Sequence, residues 1–118
     1  MELIDQLTKN LGVNENQAKG GAGMLFNLAK QKLGSADFSK VSSAVPDVDS
    51  LMSAAPASGG GFFSKLFGGG GGLAGLAGGF SKLGMDSSMI GKFVPIVLSF
   101  VKGKGGDAAG GLLEKVFK

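Results

Sequence analysis

Asn14-Glu15-Asn16-Gln17-Ala18-Lys19-Gly20-Gly21-Ala22-Gly23-Met24-Leu25-Phe26-Asn27-Leu28-Ala29 is the stretch that decides the fold class. Asn14 followed three residues later by Gln17 makes a capping box, in which each side chain satisfies a backbone N–H left open at a helix start. Ala18, Ala22, Leu25, Ala29 and Leu33 then fall on one helical stripe. Gly20, Gly21 and Gly23 lie inside it, and each costs up to about 1 kcal/mol relative to Ala in a helix. A helix that keeps three of them is expected to be approached closely by another helix. Gly34 ends the pattern as a C-terminal cap.

Upstream, Leu3, Ile4, Leu7 and Leu11 form a first helical stripe that Gly12 stops. Downstream, Asp37 is placed to cap a short helix with Phe38, Val41 and Val45 on one face, and Pro46 breaks it. Asp47 and Asp49 open another, with Val48, Leu51, Met52 and Ala55 inward and Pro56 closing it. Residues 59–79 hold 11 of the 23 glycines. Phe62, Phe63, Leu66 and Phe67 interrupt them at helical spacing, which a plain flexible linker does not do.

Beyond this segment the earlier pattern returns. Lys32-Leu33-Gly34 recurs as Lys82-Leu83-Gly84, and Val45-Pro46 as Val94-Pro95, at offsets of about 50 residues. Ile90, Phe93, Val94, Val97 and Val101 form the second copy's stripe, and Asp107 opens a last helix with Ala109, Leu112, Leu113 and Val116 inward. The expected fold is therefore all-α: a first helical unit over 1–58, a glycine-rich segment over 59–79, and a pseudo-repeated second unit over 80–118, in one small domain.

Composition excludes most chemistry. The 118 residues contain no Cys, His, Trp, Tyr or Arg. The ligands of zinc, iron–sulfur and haem sites are thus missing or incomplete, and so are the His and Cys of common acid–base and nucleophilic catalysis. The net charge is +3, with −1 on residues 1–58 and +4 on 59–118. Specific nucleic-acid readout leans on Arg forks, and single-strand binding on aromatic platforms, so a weakly basic solvated face is the expectation. The longest apolar run, Phe93 to Leu98, is far below the ~20 residues that span a bilayer. Met1-Glu2-Leu3-Ile4-Asp5 opens with acids where a secretory signal carries Lys, so the chain as written reads as cytoplasmic.

Four motifs carry a chemical alternative. Gly103, Gly105 and Ala108 fit a dinucleotide-binding fingerprint, but no acidic residue or second strand follows, and a glycine turn between helices is expected instead. Ser99 and Lys102 form a Ser-x-x-Lys pair that lacks its companion motifs. Asp47 and Asp49 complement a helix dipole more simply than they bind calcium. Phe62, Phe63, Leu66 and Phe67 are either core or an exposed anchor for a partner, a second copy or a membrane surface.

Taken together, Gln17-Ala18-Lys19-Gly20-Gly21-Ala22-Gly23, Leu28-Ala29-Lys30, Asp37-Phe38, Val45-Pro46, Phe80-Ser81-Lys82-Leu83-Gly84-Met85, Lys92-Phe93-Val94-Pro95 and Val97-Leu98-Ser99-Phe100 resemble the bacterial VcgC/VcgE family of unknown function, over nearly the whole chain. The resemblance implies a helical bacterial protein with no known catalytic residues. It also implies a periplasmic or envelope location as the alternative, reached through a signal that Met1 would have replaced. No cofactor, metal or small-molecule substrate is expected. The expected function is a non-enzymatic interaction or self-assembly module, with Phe62, Phe63, Leu66 and Phe67 as its candidate patch. A cationic membrane-surface protein is the alternative.

Overall fold

In the computed structural model, residues 2–54, 80–81, 83–86 and 88–117 are described. Helix α1 spans Glu2–Leu11 and buries Leu3, Ile4 and Leu7. Gly12 closes it at φ +71°, and its N–H donates to the Thr8 carbonyl at 3.0 Å. Helix α2 spans Glu15–Ala44 and starts on the expected capping box. The Gln17 N–H donates to Asn14 Oδ1 at 2.8 Å, and the Asn14 N–H to Gln17 Oε1 at 3.0 Å. Helix α3 spans Val48–Ala54 after the break at Val45-Pro46, and α4 spans Ser88–Phe117.

Both long helices are bent by one glycine. Gly34 sits at φ 79°, ψ 171° and Gly106 at φ 79°, ψ −173°, which divides the helices into 15–33 with 35–44 and 88–105 with 107–117. A straight 30-residue helix would run about 45 Å, beyond the molecule's extents of 31 × 31 × 23 Å. At the second bend the halves fold toward each other. Lys102 lays its aliphatic stem on Gly110, and its ammonium lies 3.8 Å from Glu114. In an unbroken helix twelve residues would set those two groups about 18 Å apart along the axis.

The core sits around α2. Every residue from Gly20 to Phe26 is buried, so this turn of helix is enclosed on all sides rather than along the expected stripe alone. The glycines explain how. A Cβ on Gly20 would lie 2.8 Å from the Leu83 side chain, one on Gly21 would enter the Phe93 ring, and one on Gly23 would enter the Leu51 backbone. Phe93 in turn packs edge-on against Phe80, ring centroids 5.1 Å apart. No buried polar or charged side chain occurs among the described residues. Each fully buried Leu, Met or Phe contributes about 1.5–3 kcal/mol.

The backbone does not follow the repeat expected at about 50 residues, but one other spacing recurs in it. Among the described residues, glycines at positive φ occur at 12, 34, 84 and 106, so Gly84 follows Gly12 and Gly106 follows Gly34 by the same 72 residues. Part of the burial pattern shares that offset: Ala18 and Ile90, Gly21 and Phe93, Leu25 and Val97, Leu28 and Phe100, Ala29 and Val101, Val41 and Leu113, and Val45 and Phe117 are buried in pairs, whereas Gly20 and Gly23 are buried and Lys92 and Pro95 exposed. The 50-residue register fails at the prolines. Val45-Pro46 ends a helix, whereas Val94-Pro95 lies inside α4. Helix continues through Pro95 because only its own missing N–H and the Gly91 carbonyl are affected, and Gly91 is exposed with open space around it.

Other departures are local. Asp37 lies within the first turn of segment 35–44 rather than capping it, because the break already falls at Gly34. Leu112 is half-buried, while Phe100 and Phe117, outside the expected stripes, are buried. The glycine-rich segment 59–79, Ala55 and Pro56 lie outside the described residues.

Candidate interaction surface

Phe62, Phe63, Leu66 and Phe67, the patch expected from sequence, lie outside the described residues. What can be built from the described chain is the outward face of α4. Between Ser88 and Val101 this helix carries one charge, Lys92. Ile90, Phe93, Val97, Phe100 and Val101 turn inward, and Met89, Val94, Ile96 and Leu98 remain half-buried along the flanks. Gly91, Lys92, Pro95, Ser99 and Lys102 are exposed. Residues 87–106 contain three Lys and no acid, so the face is electropositive and largely uncharged between its lysines.

The lysines near the bend are held by the fold. Lys104 lies 3.2 Å from Glu2 and 5.8 Å from the Phe100 ring centre, tying the start of α1 to α4. It also lines, with Lys40, Ser43 and Gly105, an open cleft of about 360 Å³ where α4 crosses segment 35–44. The crossing is close: a Cβ on Gly105 would lie 2.5 Å from the Ala44 Cβ. Lysines on opposite walls suit an anion electrostatically, yet Glu2 already neutralises one of them.

The remaining sequence motifs resolve into structure. Gly103 and Gly105 are helical, and the run before them is helix rather than strand, so the glycine turn contracts to the single break at Gly106. Ser99 and Lys102 are both exposed, with the Lys102 ammonium directed to Glu114. Asp47 and Asp49 are exposed at the start of α3, and no group of three or more acidic residues is placed to hold a metal among the described residues. The Glu15 carboxyl is held below its ordinary range, first by its hydrogen bond from Lys19 and then by that ammonium's charge, at 2.8 Å on the exposed start of α2. Among the described residues no helix is long and apolar enough to cross a membrane.

A family model described as protein of unknown function VcgC/VcgE (DUF2780) matches residues 1–117. The chain belongs to this family. Neither a curated protein nor a solved structure matches it. For this VcgC/VcgE member, then, function has to be argued from its own surface. Sequence reasoning missed the α4 face because it placed Val94 on the inward stripe, whereas Val94 is half-buried. The signal was the absence of acids across 87–106, which no core position needs.

Proposed function

We propose that this VcgC/VcgE protein is a non-enzymatic interaction module that self-associates or binds a protein partner through apolar helix surface. The observation that carries the reading is α4: with one charge between Ser88 and Val101, it leaves the apolar Met89, Val94, Ile96 and Leu98 only partly covered. Phe62, Phe63, Leu66 and Phe67 supply a second apolar patch for the same work. Size-exclusion chromatography with light scattering tests it. The parent chain should run as more than a monomer, and Phe62→Ser, Phe63→Ser, Phe67→Ser together should shift it to smaller species with the helical spectrum kept. A strictly monomeric parent defeats the self-assembly form of the reading.

The lysines over 87–106, where no acid occurs in sequence although Lys102 and Lys104 meet Glu114 and Glu2 in the fold, favour one alternative, attachment to an anionic membrane surface. In that case the parent should bind vesicles containing phosphatidylserine and release them as salt is raised.

A further inference from the structure

The 72-residue correspondence exposes a difference between the halves that points to a partner. In the first half α3 lies directly on α2. A Cβ on Gly23 would lie 2.6 Å from the Leu51 carbonyl carbon, and Asn27 Nδ2 lies 3.4 Å from the Met52 carbonyl. The counterpart positions on α4 are Pro95 and Ser99, and both are exposed. Their neighbours repeat the contrast. Ala22, Met24 and Phe26 are buried, whereas Val94, Ile96 and Leu98 are half-buried. Helix α4 packs on α1 and α2 and makes at most marginal contact with α3.

Charge and hydrogen bonding describe what fits there. Lys92, Pro95, Ser99 and Lys102 recur at helical spacing along one face, a lysine at each end. Pro95 gives the Gly91 carbonyl no N–H to accept, which leaves an acceptor open on the same face. The occupant of the counterpart face, α3, is a seven-residue helix that buries Val48 and Leu51 and exposes Asp47 and Asp49 at its start. We infer that the Pro95–Ser99 face of α4 docks a short acidic amphipathic helix from another protein. Its apolar residues, one turn apart, rest on Val94, Pro95 and Leu98, and its acids meet Lys92, since the Lys102 ammonium is already directed to Glu114. The Pro95 ring keeps such a helix at ordinary packing distance, roughly 8–10 Å between axes, further than α3 sits from Gly23. A second copy paired face to face, antiparallel about the Pro95–Ser99 face, would bring Lys92 toward the other copy's Lys102 at both ends. A lipid surface would meet an outermost row of Lys, Pro and Ser with no bulky anchor.

This assignment rests on the reading of the chain as an interaction module and narrows it. The probe is a capped synthetic peptide of residues 46–55, titrated into the isotope-labelled full chain and followed by amide NMR shifts. Shifts should cluster at residues 91–99. Reversing the charges in the peptide (Asp47→Lys, Asp49→Lys) should weaken binding by about threefold, the worth of one exposed ion pair. Ser99→Glu in the protein, an exposed change that leaves the melting temperature alone, should weaken the parent peptide's binding as well. Shifts centred on Gly23 and Asn27, indifference to charge reversal, or no shift at millimolar peptide would overturn the inference. So would concentration-dependent broadening of the 91–99 amides without peptide, which would make a second copy the occupant. Light scattering reads the assembly state of the parent independently, so failure here and failure of self-association are separate results.

Discussion

Replacing Gly23 by Ala adds one methyl group to α2, and in an exposed helix that change stabilises by up to about 1 kcal/mol. Here the methyl would enter the Leu51 backbone, with its carbonyl carbon at 2.6 Å and the Met52 nitrogen at 3.2 Å. No rotamer change relieves a collision with main chain, so α3 must move. Overpacking of a tight contact costs typically 1–3 kcal/mol, and the rigidity of this one puts it near the top of that range. Full release of α3 sets a ceiling, since uncovering Val48 and Leu51, each 2% exposed, would forgo about 3–6 kcal/mol. With the propensity gain subtracted, Gly23→Ala should lose about 2 kcal/mol. For a chain of this length that lowers the melting temperature by about 8 °C. Gly91→Ala is the matched control: it is also helical and exposed, with nothing within 4 Å of the added methyl, and it should melt at or above the parent. Both are read by thermal unfolding at 222 nm. A Gly23→Ala variant as stable as Gly91→Ala would refute the close approach of α3.

Three further outcomes follow from described contacts. Phe93→Ala should lose about 3–5 kcal/mol by vacating the space between Gly21 and Phe80, and urea unfolding measures it. Gly34→Ala and Gly106→Ala have room for the methyl but place Ala at φ 79° with ψ 171° and −173°, backbone that essentially only glycine adopts, so each should lose about 1–3 kcal/mol in the same assay. The Glu15 carboxyl should titrate below the ordinary glutamate range by carbon NMR, and Lys19→Met should raise it. Because the folded value is the depressed one, the pair's contribution is present above the unfolded value and disappears as pH falls through the folded one.

Much of the fold was legible because capping and helix termination are local chemistry. Asn14 and Gln17 bond as their spacing requires, and Gly12, Gly34 and Pro46 interrupt helices where their backbone preferences place a break. The enclosure of residues 20–26 was half legible. Three glycines announced a close neighbour, but which neighbour is a tertiary fact, and Leu83, Phe93 and Leu51 come from three different parts of the chain. The repeat expected at about 50 residues is not followed by the backbone: Lys-Leu-Gly and Val-Pro are identities of residue type in a biased composition, and Val45-Pro46 ends a helix where Val94-Pro95 continues one. The α4 face was illegible for a related reason. Exposure at Pro95 and Ser99 depends on what does not pack over them, and no local pattern encodes that.

Gly21 on α2 and Phe93 on α4 touch each other. One supplies a hole and the other the knob that fills it. The seam between the two helices is therefore keyed at that level: any side chain at 21 would occupy the place of the ring, and a smaller residue at 93 would leave the hole unfilled. A change at either position is tolerated best with a compensating change at the other.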